Sequence, residues 1–174
     1  DHIKLACRGG VLDPAGNAEI VPLTGEPLLN PLGLAYDRDG ILWIADSGQN
    51  ALLKVTPDGN VTRALTNDGT QDLVGPNYVA VGPDGRVYVS DPCIGELVRF
   101  DPKRGVADAV LAFDLPTQGG PNGFAFDPTG KRLWLATENT GLLCGSPFAD
   151  ITAPIASLFA IDVDDAGFGV VETV

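Results

Sequence analysis

"PNGFAFDPTGKRLWLATE", residues 121–138, carries the architecture of this chain, because the same pattern is written twice upstream at a constant interval. "PNYVAVGPDGRVYVSD" occupies residues 76–91 and "PLGLAYDRDGILWIAD" residues 31–46. Pro31, Pro76 and Pro121 are spaced 45 residues apart, and so are the turn glycines Gly40, Gly85 and Gly130. In each copy a short apolar run leads to an Asp-Gly or Thr-Gly turn, and a second apolar-aromatic run ends on a carboxylate or its neighbour. That pattern predicts a β-hairpin. Hairpins at a fixed period of this length predict the blades of a propeller or an array.

Working outward, the stretches between the hairpins are also related. "DPAGNAEIVPL" from Asp13, "TPDGNVTRAL" from Thr56 and "DPKRGVADAVL" from Asp101 each join two apolar strands through a Pro/Gly turn. They supply the third and fourth strands of a blade. The expected fold is therefore all-β, a β-propeller of four-stranded antiparallel blades with under about one-tenth helix. Residues 1–24 read as half a blade, 25–70 and 71–115 as whole blades, and 116–174 as a blade with an inserted loop at 140–157. Third strands are expected at 51–55, at 96–100 and from Leu158, and a final strand at 169–174. About three and a half blades are present. A propeller protects its edges by closing on itself, so the expectation is part of a ring: a fragment of a longer chain, or one half of a nicked one.

Composition bounds the function. The formal charge is −12, whereas nucleic acid and anionic membrane surfaces demand a positive face, so neither is an expected partner. A cation is the more natural one. No run approaches 18 apolar residues and the first residues are not a basic-then-apolar leader, so no membrane span or signal peptide is expected. The compartment stays open between cytoplasmic and, after leader removal, periplasmic or secreted. Cys7, Cys93 and Cys144 lie far apart with no CxxC pair, which favours semi-buried free thiols. The alternative is a Cys93–Cys144 disulfide, since both fall in loops after the second strand of neighbouring blades.

Strand parity places the candidate site. Residues before the first strand and after the second emerge on one face, so 30–32, 75–77 and 120–122 share a face with 46–50, 91–95 and 138–157. After the repeat proline the blades read Leu32, Asn77 and Asn122. An Asn side-chain oxygen is a neutral hard ligand, and such oxygens from successive blades suit Ca²⁺ or a related ion when carboxylates join them. The alternative is that Asn simply follows Pro in a tight turn. Asp46 and Asp91 read as turn caps, and Glu138 as the more exposed candidate for a catalytic carboxylate. Nucleophilic triads are disfavoured, because the sole histidine is His2 and no serine sits in GxSxG. "DVDDAG", residues 162–167, lacks the later bidentate Glu of a calcium loop and reads as a surface turn. Trp43, Tyr88 and Trp134 read as core layers. Leu142, Leu143, Phe148 and Ile151 make the insertion apolar enough for a flap over the channel mouth.

Taken in order and spacing, the three hairpin stretches between about Gly25 and Glu138 resemble the six-bladed gluconolactonase/regucalcin (senescence marker protein) family. They are also similar to strictosidine-synthase-like propellers. The first resemblance implies a metal-dependent hydrolase of a small lactone, with Asn77 and Asn122 as ligands of the divalent metal. Ca²⁺ is the first choice, with Zn²⁺, Mg²⁺ or Mn²⁺ as alternatives. The family's other ligands, a Glu of the first blade and an Asp of the fifth that also acts as general base, fall outside this chain. Tyr78 stands where the family usually has Asp. The implied partners are a small-molecule lactone and the remaining blades, from the same longer chain or a complementary fragment. A non-catalytic binding platform, or a strictosidine-synthase-like or lyase enzyme on the same scaffold, are the alternatives.

Overall fold

The computed structural model describes residues 10–12, 18–20, 22–139, 144 and 156–174. Strands β1 (Gly10–Leu12) and β2 (Ala18–Ile20) form an antiparallel pair of their own, and β3 (Thr24–Gly25) follows. β4 (Pro31–Tyr36), β5 (Leu42–Asp46), β6 (Ala51–Val55) and β7 (Asn60–Leu65) make the first blade. The second comprises β8 (Tyr78–Val81), β9 (Val87–Asp91), β10 (Glu96–Asp101) and β11 (Val106–Ala112). The third comprises β12 (Gly120–Phe126), β13 (Arg132–Glu138), β14 (Leu158–Asp164) and β15 (Gly167–Thr173). Each blade is an antiparallel meander in chain order. Among the described residues the only helix is α1 (Leu115–Gln118), a single turn between the second and third blades. None is long and apolar enough to cross a membrane. The all-β blade architecture predicted by the repeat is the one observed.

The three hairpin turns fold alike for one reason. Gly40, Gly85 and Gly130 adopt φ of 76°, 78° and 71°, where a side chain would be strained, and their amides close the turns on the carbonyls of Asp37, Gly82 and Asp127. Between the turns, alternate residues face the two neighbouring blades. Trp43, Leu52 and Leu65 of the first blade pack on Val79, Val87, Val98 and Phe100 of the second. Tyr88 and Leu97 of the second pack on Phe124, Leu133, Phe159 and Ile161 of the third. The seams, not the individual sheets, are thus the core.

The seam between the second and third blades is also tied at its rim. Arg99 is buried; its Nε sits 2.7 Å from Asp108 Oδ1, and its other guanidinium nitrogens donate to the carbonyls of Asp164 at 2.6 Å and Asp165 at 3.3 Å. Arg86 holds the second oxygen of Asp108 at 2.7 Å. Burial pushes the Asp108 carboxyl upward, but the two guanidinium groups outweigh it and hold it below its ordinary range. Arg99 therefore carries a compensated charge from one blade into the β14–β15 turn of the next.

Several details depart from the sequence reading. The first sheet has five strands, because β3 runs parallel to β7, with the amides of Thr24 and of Glu26 just after it on the carbonyls of Gly59 and Val61, covering the outer edge. The last strand starts at Gly167, since Asp164 Oδ1 accepts from the amides of Ala166 and Gly167 and closes a tight turn over "DVDDAG". Trp134 is not core. Its ladder partner Ala125 matches Ala35 opposite Trp43 and Ala80 opposite Tyr88. Trp43 meets Phe100 of the next blade, and Tyr88 meets Phe126 and Phe168, edge to face at 4.9–6.0 Å. Trp134 lies on the far face of the third blade, 38% exposed. Cys7 lies outside the described residues, as do Leu142, Leu143, Phe148 and Ile151, so the flap does too.

Candidate functional site

The inner strands β4, β8 and β12 lie against one another, and all begin at the same end of the molecule. Pro31 sits opposite Asp46, Gly120 opposite Glu138, and the Asn77 amide donates to the Ser90 carbonyl at 2.8 Å. The residues preceding the first strands and those following the second strands therefore share an end, as strand parity requires. Here the ladder slips, between Pro31 and Gly33 in the first blade and between Pro121 and Phe124 in the third. The slip takes Leu32 and Asn122 out of the regular pairing, and bulges of this kind re-aim side chains.

Asn77 and Asn122 are brought together through one residue. Ser90 Oγ accepts the Tyr78 amide at 3.1 Å and donates to the Asn122 carbonyl at 2.8 Å, while the Ser90 carbonyl takes the Asn77 amide. Both asparagines are half-buried. Tyr78, beside Asn77, stacks edge to face on Phe124 of the third blade at 5.1 Å. Glu138 stands at the same end but makes no hydrogen bond with either asparagine; its Oε1 is buried without a partner among the described residues. Nothing in the bare sequence marked Ser90, because its partners lie 12 and 32 positions away.

The carboxylates of Asp46 and Asp91 are spent on the backbone. Asp46 accepts from the amides of Leu29, Asn30, Gly48 and Gln49, and Asp91 from those of Val74, Gly75, Cys93 and Ile94. Each staples the segment entering a blade to the turn after its second strand, which is the capping role expected of them. Thr137, at the matching place in the third blade, differs: it accepts from the Ser157 amide at 2.9 Å and so ties the end of β13 to the start of β14. Beside Asp91 the free-thiol expectation fails for two cysteines. Cys93 and Cys144 are disulfide-bonded across 51 residues, which brings residue 144 to the turn after β9 in the neighbouring blade. This places residue 144 of the insertion at the asparagine end.

A second acidic feature lies in the connector between the first two blades. Asp68 Oδ1 accepts from Thr70 and Gln71, Gln71 Nε2 donates to Glu96 Oε1 at 2.7 Å, and the Asp68 and Glu96 carboxyls are hydrogen-bonded to each other. Asp68 Oδ2 and Glu96 Oε2 are buried and have no other partner among the described residues. Two like charges repel there, so the pair keeps one proton well above the ordinary carboxylate range. Burial, then the contact with Asp68, pushes Glu96 up to about 7. Asp68 is held down at about 2, against burial, by the bond from Glu96 and the amides of Gln71 and Thr70.

For a divalent ion, the donors at the axis are right in kind. Asn77 and Asn122 offer hard amide oxygens, and the orphaned Glu138 Oε1 lies at the same end. They are only part of a set, since among the described residues no three His, Cys, Asp or Glu gather around one point.

Comparison with known proteins agrees with this architecture. No family model matches the chain. A gluconolactonase of Zymomonas mobilis is 32% identical over 144 residues, a match covering 74% of this chain and 39% of that protein. A solved gluconolactonase from Xanthomonas campestris superposes with a TM-score of 0.62 at 19% identity, over 85% of this chain and 50% of the other. Virginiamycin B lyase from Staphylococcus aureus superposes with a TM-score of 0.65 at 15% identity, over 98% and 49%. At such identities the structural likeness is one of fold. The chain spans about two-fifths of the curated relative and half of these solved neighbours.

Proposed function

Starting from a chain that is gluconolactonase-like in sequence and propeller-like in fold, we propose that the full-length protein is a metal-dependent hydrolase of a small lactone. The observation that carries this reading is the meeting of Asn77, just before β8, and Asn122, on β12 of the next blade, at Ser90 and at one end. The 32% identity to a gluconolactonase supports the reaction class. Asn77 and Asn122 hold a divalent cation, Ca²⁺ before Zn²⁺, Mg²⁺ or Mn²⁺, through their amide oxygens. Further carboxylates and the general-base Asp come from blades outside this chain. The bound ion supplies Lewis acidity toward a lactone carbonyl and its developing oxyanion. Asn77 and Asn122, as neutral donors, orient the ion without cancelling its charge. Glu138, with one carboxylate oxygen unengaged, is this chain's own candidate for accepting a proton from water. Further blades of the same longer chain, packing on Trp134, complete the ring.

The test is made in the full-length protein. Asn77→Ala and Asn122→Ala should each lower Ca²⁺ affinity and aldonolactone hydrolysis together, by about tenfold or more, while circular dichroism stays unchanged. Wild-type activity in both variants would hand the site to a non-catalytic binding platform.

A further inference from the structure

Ser90 is the one hydroxyl in a layer that the other blades fill with alanine. It pairs with Tyr78 in the β8–β9 ladder, as Ala45 pairs with Gly33 in the first blade. In the third blade Ala136 precedes Thr137, which pairs with Pro121 as Asp46, following Ala45, pairs with Pro31. Ser90 is fully buried, so its hydroxyl is tolerable only if bonded. It is bonded twice, to the Tyr78 amide and to the Asn122 carbonyl. The equivalent seam between the first two blades needs no such bond. There Gly33 packs so closely that a Cβ would fall 2.8 Å from the Asn77 carbonyl oxygen. The hydroxyl thus occurs at the seam where the two asparagine-bearing segments meet.

We infer that Ser90 is a positioning residue, which sets the spacing of the Asn77 and Asn122 peptides so that their side chains can serve one divalent cation. This rests on the metal reading above. The physical reason is the narrow range of oxygen–cation distances: two ligands on separate sheets keep a common centre only if the sheets are held in register. One bond from the Ser90 side chain to each strand does this, where apolar packing alone would let the seam slide.

The experiment uses the full-length protein, with Mn²⁺ as the probe, followed by calorimetry and by its paramagnetic resonance spectrum. Ser90→Ala should weaken Mn²⁺ binding about tenfold and speed hydrogen exchange at the Tyr78 amide. The fold should survive, since Ala45 occupies the matching place in the first blade. Ser90→Thr, which keeps the hydroxyl, should recover most of the affinity. Should Asn77→Ala and Asn122→Ala weaken Mn²⁺ binding while Ser90→Ala binds as wild type, or Ser90→Thr prove no better than Ser90→Ala, the role of Ser90 is overturned and the metal site stands. Unchanged binding in both asparagine variants overturns the metal reading and this inference with it.

Discussion

At the scale of single residues, the strongest polar constraints near the site serve the backbone. Asp91 is fully buried and satisfies amides on two segments, Val74–Gly75 and Cys93–Ile94. Removing it strands several buried donors at once, so Asp91→Ala should lose about 3 kcal/mol or more of stability. Urea unfolding of the full-length protein checks this, and a loss below about 1 kcal/mol would show that the connector finds other partners. Asp46 and Asp91 were legible as caps because a carboxylate at the end of a strand and before a Gly-containing turn has local amides to accept from. Ser90 was not legible, because its role depends on a carbonyl from another blade and on a bulge that frees Asn122 from the ladder.

Among elements, the connector from β7 to β8 is the most informative. The sequence presents it as a polar link, yet it is held by Leu73 in the core, by Asp91 and by the proton shared between Asp68 and Glu96. The groups facing Glu96 are Asp68, Gln71 and Asp91, with no cation among them. Because the folded pKa of Glu96 is raised from 4.5 to about 7, its contribution is complete below about 4.5 and is lost as pH rises through 7. Asp68, lowered from 3.8 to about 2, contributes above 3.8 and fails as pH falls toward 2. The clasp is therefore tightest in mild acid. In Glu96→Gln the amide donates to Asp68 at every pH, so the stability difference between this variant and wild type should widen from pH 5 to pH 8. Parallel stability curves across that range would refute the shared proton. The 45-residue period made strands and turns readable because it repeats local chemistry. The parallel β3, the disulfide and this clasp escaped it because each joins segments that the period does not relate.

Across the whole molecule, the main packing is between successive blades, and the two complete seams are not built alike. The seam between the first and second blades is closed by apolar side chains and the close approach of Gly33. The seam between the second and third adds Ser90 near the axis and Arg99 at the rim. Trp134, on the face beyond the third blade, resembles Trp43 and Tyr88 in ladder position, and it becomes part of a seam only when another blade covers it.

The Arg99 guanidinium has a consequence for how the protein comes apart. If the second blade opened without the third, Arg99 and Asp108 would part from the Asp164 and Asp165 carbonyls, and a buried charge would lose half its partners. The two blades should thus open as one cooperative unit, with the first blade opening separately and more easily. Native-state hydrogen exchange of the full-length protein at low denaturant should find the amides of β8–β11 and β12–β15 merging on a single opening free energy, above that of β4–β7. In Arg99→Met the common value should split in two; if β4–β7 merged with the others in wild type, the rim clasp would not be what sets the unit's boundary.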